Sequence, residues 1–231
     1  MTAGSTLFSD QLPEKAHLVR GGGLSGEVAD LRSDIRSVLA LLAPITVEEF
    51  VDPALADVDA IVTSIASAAS ETVLEGAALD GAVGEGVMSP PRNVTITTTS
   101  NADIDAVAAV VEGTDISGDA QTDTITLTDG GGATDAGTKA FATVTKVTIP
   151  AQSGTGGALE VGFGAVIGLG AKIVTRAGYT GPVKEIAAGS VVTNGTFVAA
   201  ATSGPNGTYE PSSAPDGSND YALYYEYAPV A

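Results

Sequence analysis

The sequence predicts an α+β protein that is mostly β: an N-terminal helical segment followed by an antiparallel β-sandwich. Three observations lead there. From Glu71 onward, short runs rich in Thr, Val and Ile alternate with glycine-containing turns, as in Ser117-Gly118 and Gly130-Gly131-Gly132. Before that point, apolar residues recur at helical spacing. The composition fits both parts: 44% of residues are hydrophobic and 5% aromatic, with 29 Gly and no Trp, so the core is built from Val, Ile, Leu and Ala. The expected organisation is a flexible arm over 1–23, a helical segment over 24–70 and a β-sandwich over 71–231. At 231 residues the chain is long enough for one large β domain with a helical element.

In the arm, Leu7, Phe8, Leu12, Leu18 and Val19 follow no period, and Gly21-Gly22-Gly23 forms a joint. Such an arm either stays mobile or lies across a partner. A helix is predicted over 24–42 with Ser25 as its cap. Leu24, Val28, Leu31, Ile35, Val38 and Leu42 are spaced 4-3-4-3-4, the a/d seam of a coiled coil. Glu27 and Arg32 fall at g and the next e. The seam serves self-association or, equally, packing against the helix's own chain. Pro44 stops the helix. Asp52-Pro53 then opens a second one, with Leu55, Val58, Val62, Ile65 and Ala69 on one face.

The β region should contain strands at 72–74, 93–99, 106–112, 122–128, 140–149, 159–163, 173–175, 183–186, 191–192, 196–200 and 222–227. Pro90-Pro91 stands at a strand entrance, where no ladder hydrogen bond is lost. The last strand alternates Tyr221, Leu223, Tyr225 and Tyr227, which either close the core or line a subunit contact.

Charge narrows the partners. With 28 acidic against 10 basic residues the net charge is −18. Such a surface repels phosphate backbones and anionic lipid, so neither nucleic acid nor membrane is an expected partner. It favours solubility and docking on a basic protein surface. There are no cysteines, hence no disulfide and no thiolate metal site. Met1–Gln11 lacks the basic and apolar regions of a signal peptide, and no apolar run approaches a membrane span.

Motifs for chemistry fail one after another. Asp103-Ile104-Asp105 and Asp115-Ile116-Ser117-Gly118-Asp119 resemble calcium-ligand spacings. Counted from Asp115, however, position six is Ala120 and position twelve Thr126, where an EF-hand needs Gly and Glu. The lone histidine, His17, sits in the arm, and no G-x-S-x-G elbow is present. Gly162-Phe163-Gly164 through Gly168 approximates G-x-G-x-x-G with the last Gly one place late and no helix following. No catalytic residue, metal site or cofactor is therefore expected, and the chain reads as a non-enzyme.

Five local features carry a resemblance. They are Pro90-Pro91-Arg92-Asn93-Val94-Thr95-Ile96, the Gly113-Thr114-Asp115…Gly118 turn, Thr122-Asp123-Thr124-Ile125, Lys139-Ala140-Phe141…Val144, and Val161-Gly162-Phe163-Gly164. A weaker echo follows in Gly207–Pro211 and Ala214–Ser218. Over residues 75–231 the chain resembles structural proteins of tailed bacteriophages, including head-decoration (cement) proteins. The resemblance implies a protein that binds the major capsid protein and stabilises the shell. It would sit on the virion's capsid surface after assembly in the host cytoplasm, as a homo-oligomer, a trimer being the form that three-fold shell junctions favour. Leu7, Phe8 and Leu12 would be its capsid-contacting residues. Two alternatives stand beside this: a tail, neck or head-fibre component with a helical stalk and β tip, and a carbohydrate-binding or adhesin-like sandwich.

Overall fold

In the computed structural model of the chain, residues 45–174, 181–198 and 206–227 are described. All belong to the unit Pro44–Ala231. The strands, in order, are β1 (Ile45–Phe50), β2 (Asp57–Ala66), β3 (Thr72–Glu75), β4 (Arg92–Thr98), β5 (Ala108–Thr114), β6 (Ala120–Thr126) and β7 (Thr134–Phe141). They continue with β8 (Thr143–Ile149), β9 (Ala158–Gly168), β10 (Lys184–Ala187), β11 (Ser190–Val192), β12 (Thr196–Val198), β13 (Thr208–Glu210) and β14 (Tyr221–Glu226). The helical content among the described residues is a single 3₁₀ turn at Gly76–Ala78.

Three sheets result. One runs β1-β14-β10-β11, a second β12-β13-β9-β4-β7 with β2 also paired to β9, and a third β3-β8-β5-β6. Side chains of the second and third sheets build an aliphatic core that includes Ile61, Val94, Ile96, Val111, Ile125, Val147 and Val161. A separate core gathers Phe50, Ile167, Phe197, Tyr209, Tyr221, Leu223 and Tyr225. Strand β9 belongs to both. Leu159, Val161 and Phe163 enter the aliphatic core, and Ile167 enters the aromatic one.

This architecture corrects the expected fold class. The chain is mostly β with several sheets and two cores, rather than an α+β protein carrying one antiparallel sandwich. The helical, coiled-coil segment expected over 24–70 is overturned where it is described, because residues 45–50 and 57–66 are strands. The predicted helical face misled because Leu55 and Val58 are 61% and 43% exposed, whereas Ile61, off that face, is fully buried. Ala60-Ile61-Val62 is a continuous apolar run in a strand, a pattern that periodicity alone does not separate from helix. Asp52, expected as a helix cap, has φ +41° and donates its N–H to Asp220 Oδ1 at 3.1 Å, so it forms a turn. The helix over 24–42, with Leu24, Val28, Leu31, Ile35, Val38 and Leu42, lies outside the described residues, as do Leu7, Phe8 and Leu12 of the arm.

Glycine sets one close approach. A Cβ on Gly162 of β9 would stand 1.9 Å from the carbonyl oxygen of Asp57, so β2 can lie against β9 only because no side chain is there. The β2–β9 ladder shifts register twice, between Asp57 and Val62 and again between Val62 and Ile65.

Candidate interaction surface

The residues that stood out in the sequence do their work inside the fold. Strand β4 opens on Arg92 and Asn93, both buried. Opposite them β9 bulges, pairing Arg92 with Ile167 but Val94 with Phe163. On the other side β7 bulges as well, pairing Asn93 with Ala140 but Thr95 with Ala136. A bulge leaves backbone groups without ladder partners, and buried ones must find others. The Asn93 amide supplies both kinds. Its Oδ1 accepts from Val166 N–H at 3.1 Å, and its Nδ2 donates to Gly137 O at 3.2 Å. On the β7 side, Asp123 Oδ2 from β6 accepts from Thr138 N–H at 2.7 Å and Lys139 N–H at 2.9 Å.

Arg92 is a buried cation with two carbonyls for partners. Its guanidinium donates to Ala54 O at 2.7 Å and to Gly164 O, and lies 5.0 Å from the centre of the Phe163 ring. Its Nε has no hydrogen-bond partner. Burial pushes its pKa down to about 10, so it stays protonated at neutral pH.

The calcium-like aspartates are turn formers. Asp115 Oδ1 accepts from Ser117 N–H at 2.8 Å and Asp119 N–H at 3.0 Å, and Gly118 takes φ +85°. Asp103 Oδ2 accepts from Gly156 N–H at 2.7 Å, and Asp105 Oδ1 from Ser153 Oγ–H at 2.8 Å. Among the described residues no three His, Cys, Asp or Glu side chains come together as a metal site. A shallow hollow beside Pro91, Asp115, Ile116, Ala140, Leu169 and Asn206 has a cavity volume of only about 10 Å³, far below the roughly 300–1,000 Å³ of small-molecule sites.

The aromatic core holds two carboxylates. Glu185 of β10, fully buried, accepts from Tyr209 Oη–H, Gly195 N–H at 2.8 Å and Ser212 Oγ–H at 3.2 Å. Burial, with Glu185 beside it, raises the Tyr209 pKa far above its ordinary value. Glu48 of β1 accepts from Tyr225 Oη–H at 2.7 Å and Gly170 N–H at 2.8 Å. Burial raises its pKa against the pull of both hydrogen bonds.

The outward face of the β1-β14-β10-β11 sheet is the candidate surface. In an antiparallel ladder, directly paired residues share a face. The register pairs Val47 with Tyr224, Tyr224 with Lys184, Ala222 with Ile186, and Ile186 with Val191. Alternate residues Tyr221, Leu223 and Tyr225 are buried in the aromatic core, so this set points away from it. Ile45, Val47 and Val191 are 57%, 47% and 64% exposed. Lys184 Nζ lies 5.3 Å from the centre of the Tyr224 ring. At the Phe50 end the border is acidic: Glu49, Asp52 and Asp220 are exposed. The sequence reading missed this surface because it left 45–50 without a strand. The available signal was the alternation Ile45-Thr46-Val47-Glu48 and the second period-2 series of the last strand, Ala222-Tyr224.

Comparison with protein-family models, with curated proteins and with solved structures finds no match to the chain.

Proposed function

We propose that this chain is a non-enzymatic structural protein of a tailed phage, a decoration protein that binds the major capsid protein and stabilises the finished shell. The sequence resemblance supplies the phage assignment. The observation that carries the attachment role is the outward apolar face of the β1-β14-β10-β11 sheet, a surface suited to protein contact. The engagement of Arg92, Asn93, Asp115 and Asp123 with the chain's own backbone supports a structural role for the motifs behind the resemblance. Repetition of a modest contact over many copies gives the shell its added strength through multivalency.

The test is a knockout of this chain in the parent phage. Particles lacking it should assemble and then lose DNA at lower temperature or on osmotic shock. Added purified chain should restore resistance, and quantitative mass spectrometry should count it in hundreds of copies per virion. Knockout particles of unchanged thermal stability, or a handful of copies per virion, would sink the reading.

A further inference from the structure

We infer that the outward face of the β1-β14-β10-β11 sheet docks a protein surface that has an apolar centre and Lys or Arg along one side. The inference rests on the decoration reading and adds the chemistry of the contact. Two neighbouring outward rows, Val47–Tyr224–Lys184 and Glu49–Ala222–Ile186–Val191, bring Val47, Tyr224, Ala222, Ile186 and Val191 together as the apolar middle. Glu49, Asp52 and Asp220 border the end where β1 runs into Phe50. The Lys184 ammonium is drawn over the Tyr224 ring, which places it in the middle rather than at that border.

Charge selects among occupants. A second copy brings a net charge of −18 to a surface bordered by Glu49 and Asp52, so like charges would face each other. A basic border on a different protein turns the same residues into complementary contacts and speeds encounter.

Size sets the strength. Strands of six, six, four and three residues, about 4.8 Å apart and rising about 3.3 Å per residue, make a face of roughly 300 Å². Stable pairwise complexes bury about 800 Å² on each partner. The face alone is therefore a weak contact. It becomes firm where one assembly presents many copies of the matching surface, or where the rest of the chain adds contacts.

The experiment is co-sedimentation of the full chain with shells isolated from particles that lack it, at low and high salt. Val47→Asn and Ile186→Asn alter outward side chains and should keep the wild-type melting temperature while weakening binding about tenfold or more. Glu49→Lys, exposed and outside both cores, should also weaken binding, and should remove part of the loss that salt causes in the wild type. Wild-type binding with all three variants within about twofold of it would overturn the inference and leave the decoration reading standing. No wild-type binding would overturn both. A wild-type dimer by sedimentation equilibrium, dissociated by Val47→Asn, would give the face to a second copy and overturn the basic partner.

Discussion

The two cores of this protein are held by different forces. The aliphatic core between the second and third sheets is made of Ile, Val, Leu and Ala with Phe141, Phe163 and Met88. The bulged strands beside it take polar help from Arg92, Asn93 and Asp123, and from Gln121, whose Nε2 donates to Ala140 O at 2.6 Å. The aromatic core packs Phe197 against Tyr209 and Tyr225, with ring centres 5.3 and 5.6 Å apart, and ties its hydroxyls to Glu185 and Glu48. Apolar burial is non-directional and indifferent to pH. Hydroxyl–carboxylate pairs are directional, and leaving one partner alone is costly. The first core should answer to volume, the second to hydrogen bonding and protonation.

The largest effect should come from removing residues that reach both cores. Phe50 lies in the aromatic core and Ile61 in the aliphatic one, so a chain of residues 71–231 loses β1 and β2 together. It should show no cooperative thermal transition, while residues 44–231 should melt cooperatively. A sharp melt of the shorter chain would mean that β2 is dispensable to the aliphatic core.

Next come substitutions at the junction. Arg92→Ala strands two carbonyls and opens a cavity, and should cost roughly 3–5 kcal/mol in denaturant unfolding. Ile61→Ala should cost about 2–5 kcal/mol and to the same extent at every pH, as pure volume loss does. A pH-dependent penalty at Ile61 would break the distinction between the cores.

Tyr209→Phe is the matched probe of the aromatic core. It keeps the ring and removes the donor to buried Glu185, and should cost about 1–3 kcal/mol. Tyr221→Phe, whose hydroxyl donates to the Ser213 and Ala214 carbonyls at 3.1 and 3.2 Å, removes a bond between neutral groups and should cost less. Equal losses would mean that the carboxylate adds nothing to that core.

The smallest effect is the pH dependence of Glu48. Its folded pKa is raised above 4.5 by burial, so the folded state holds this proton more tightly than the unfolded chain. Its contribution to stability therefore rises as pH falls from above the folded pKa toward 4.5. The exposed Asp80 and Asp216, lowered by backbone and side-chain hydrogen bonds, act in the opposite sense, losing stability as pH falls below 3.8. The wild-type melting temperature should climb slightly on mild acidification and then drop. Glu48→Gln should flatten the climb and leave the drop. An unchanged climb in that variant would take Glu48 out of the account.

What the sequence disclosed follows from where the information is stored. Strands with β-branched runs and clean turns, such as β3, β4 and β5, are legible because their pattern is local, whereas the single strand expected over 140–149 is the end of β7 joined to β8. Strand β7 was half hidden, since Gly137 and the bulge beside it look like a turn until Asp123 of β6 is known to take up Thr138 and Lys139. Strand β2 was read as a helix because burial on both faces erases the period-2 alternation. Arg92 and Asn93 stand out in the sequence beside Pro90-Pro91, but their task depends on bulges in two neighbouring strands, which are non-local. The apolar face needed the register of four strands, two of them separated by more than 130 residues, before Val47, Tyr224 and Ile186 met.

The sharing of β9 between the cores has a mechanical side. Its backbone is the covalent member along which a pull on the aromatic end passes to the aliphatic end, with β4 bonded alongside from Arg92↔Ile167 to Thr98↔Leu159. Load in this geometry runs along the strand and shears a whole row of hydrogen bonds at once, instead of peeling them one at a time. Under tension along its length, such a strand is a tie rod rather than a zipper.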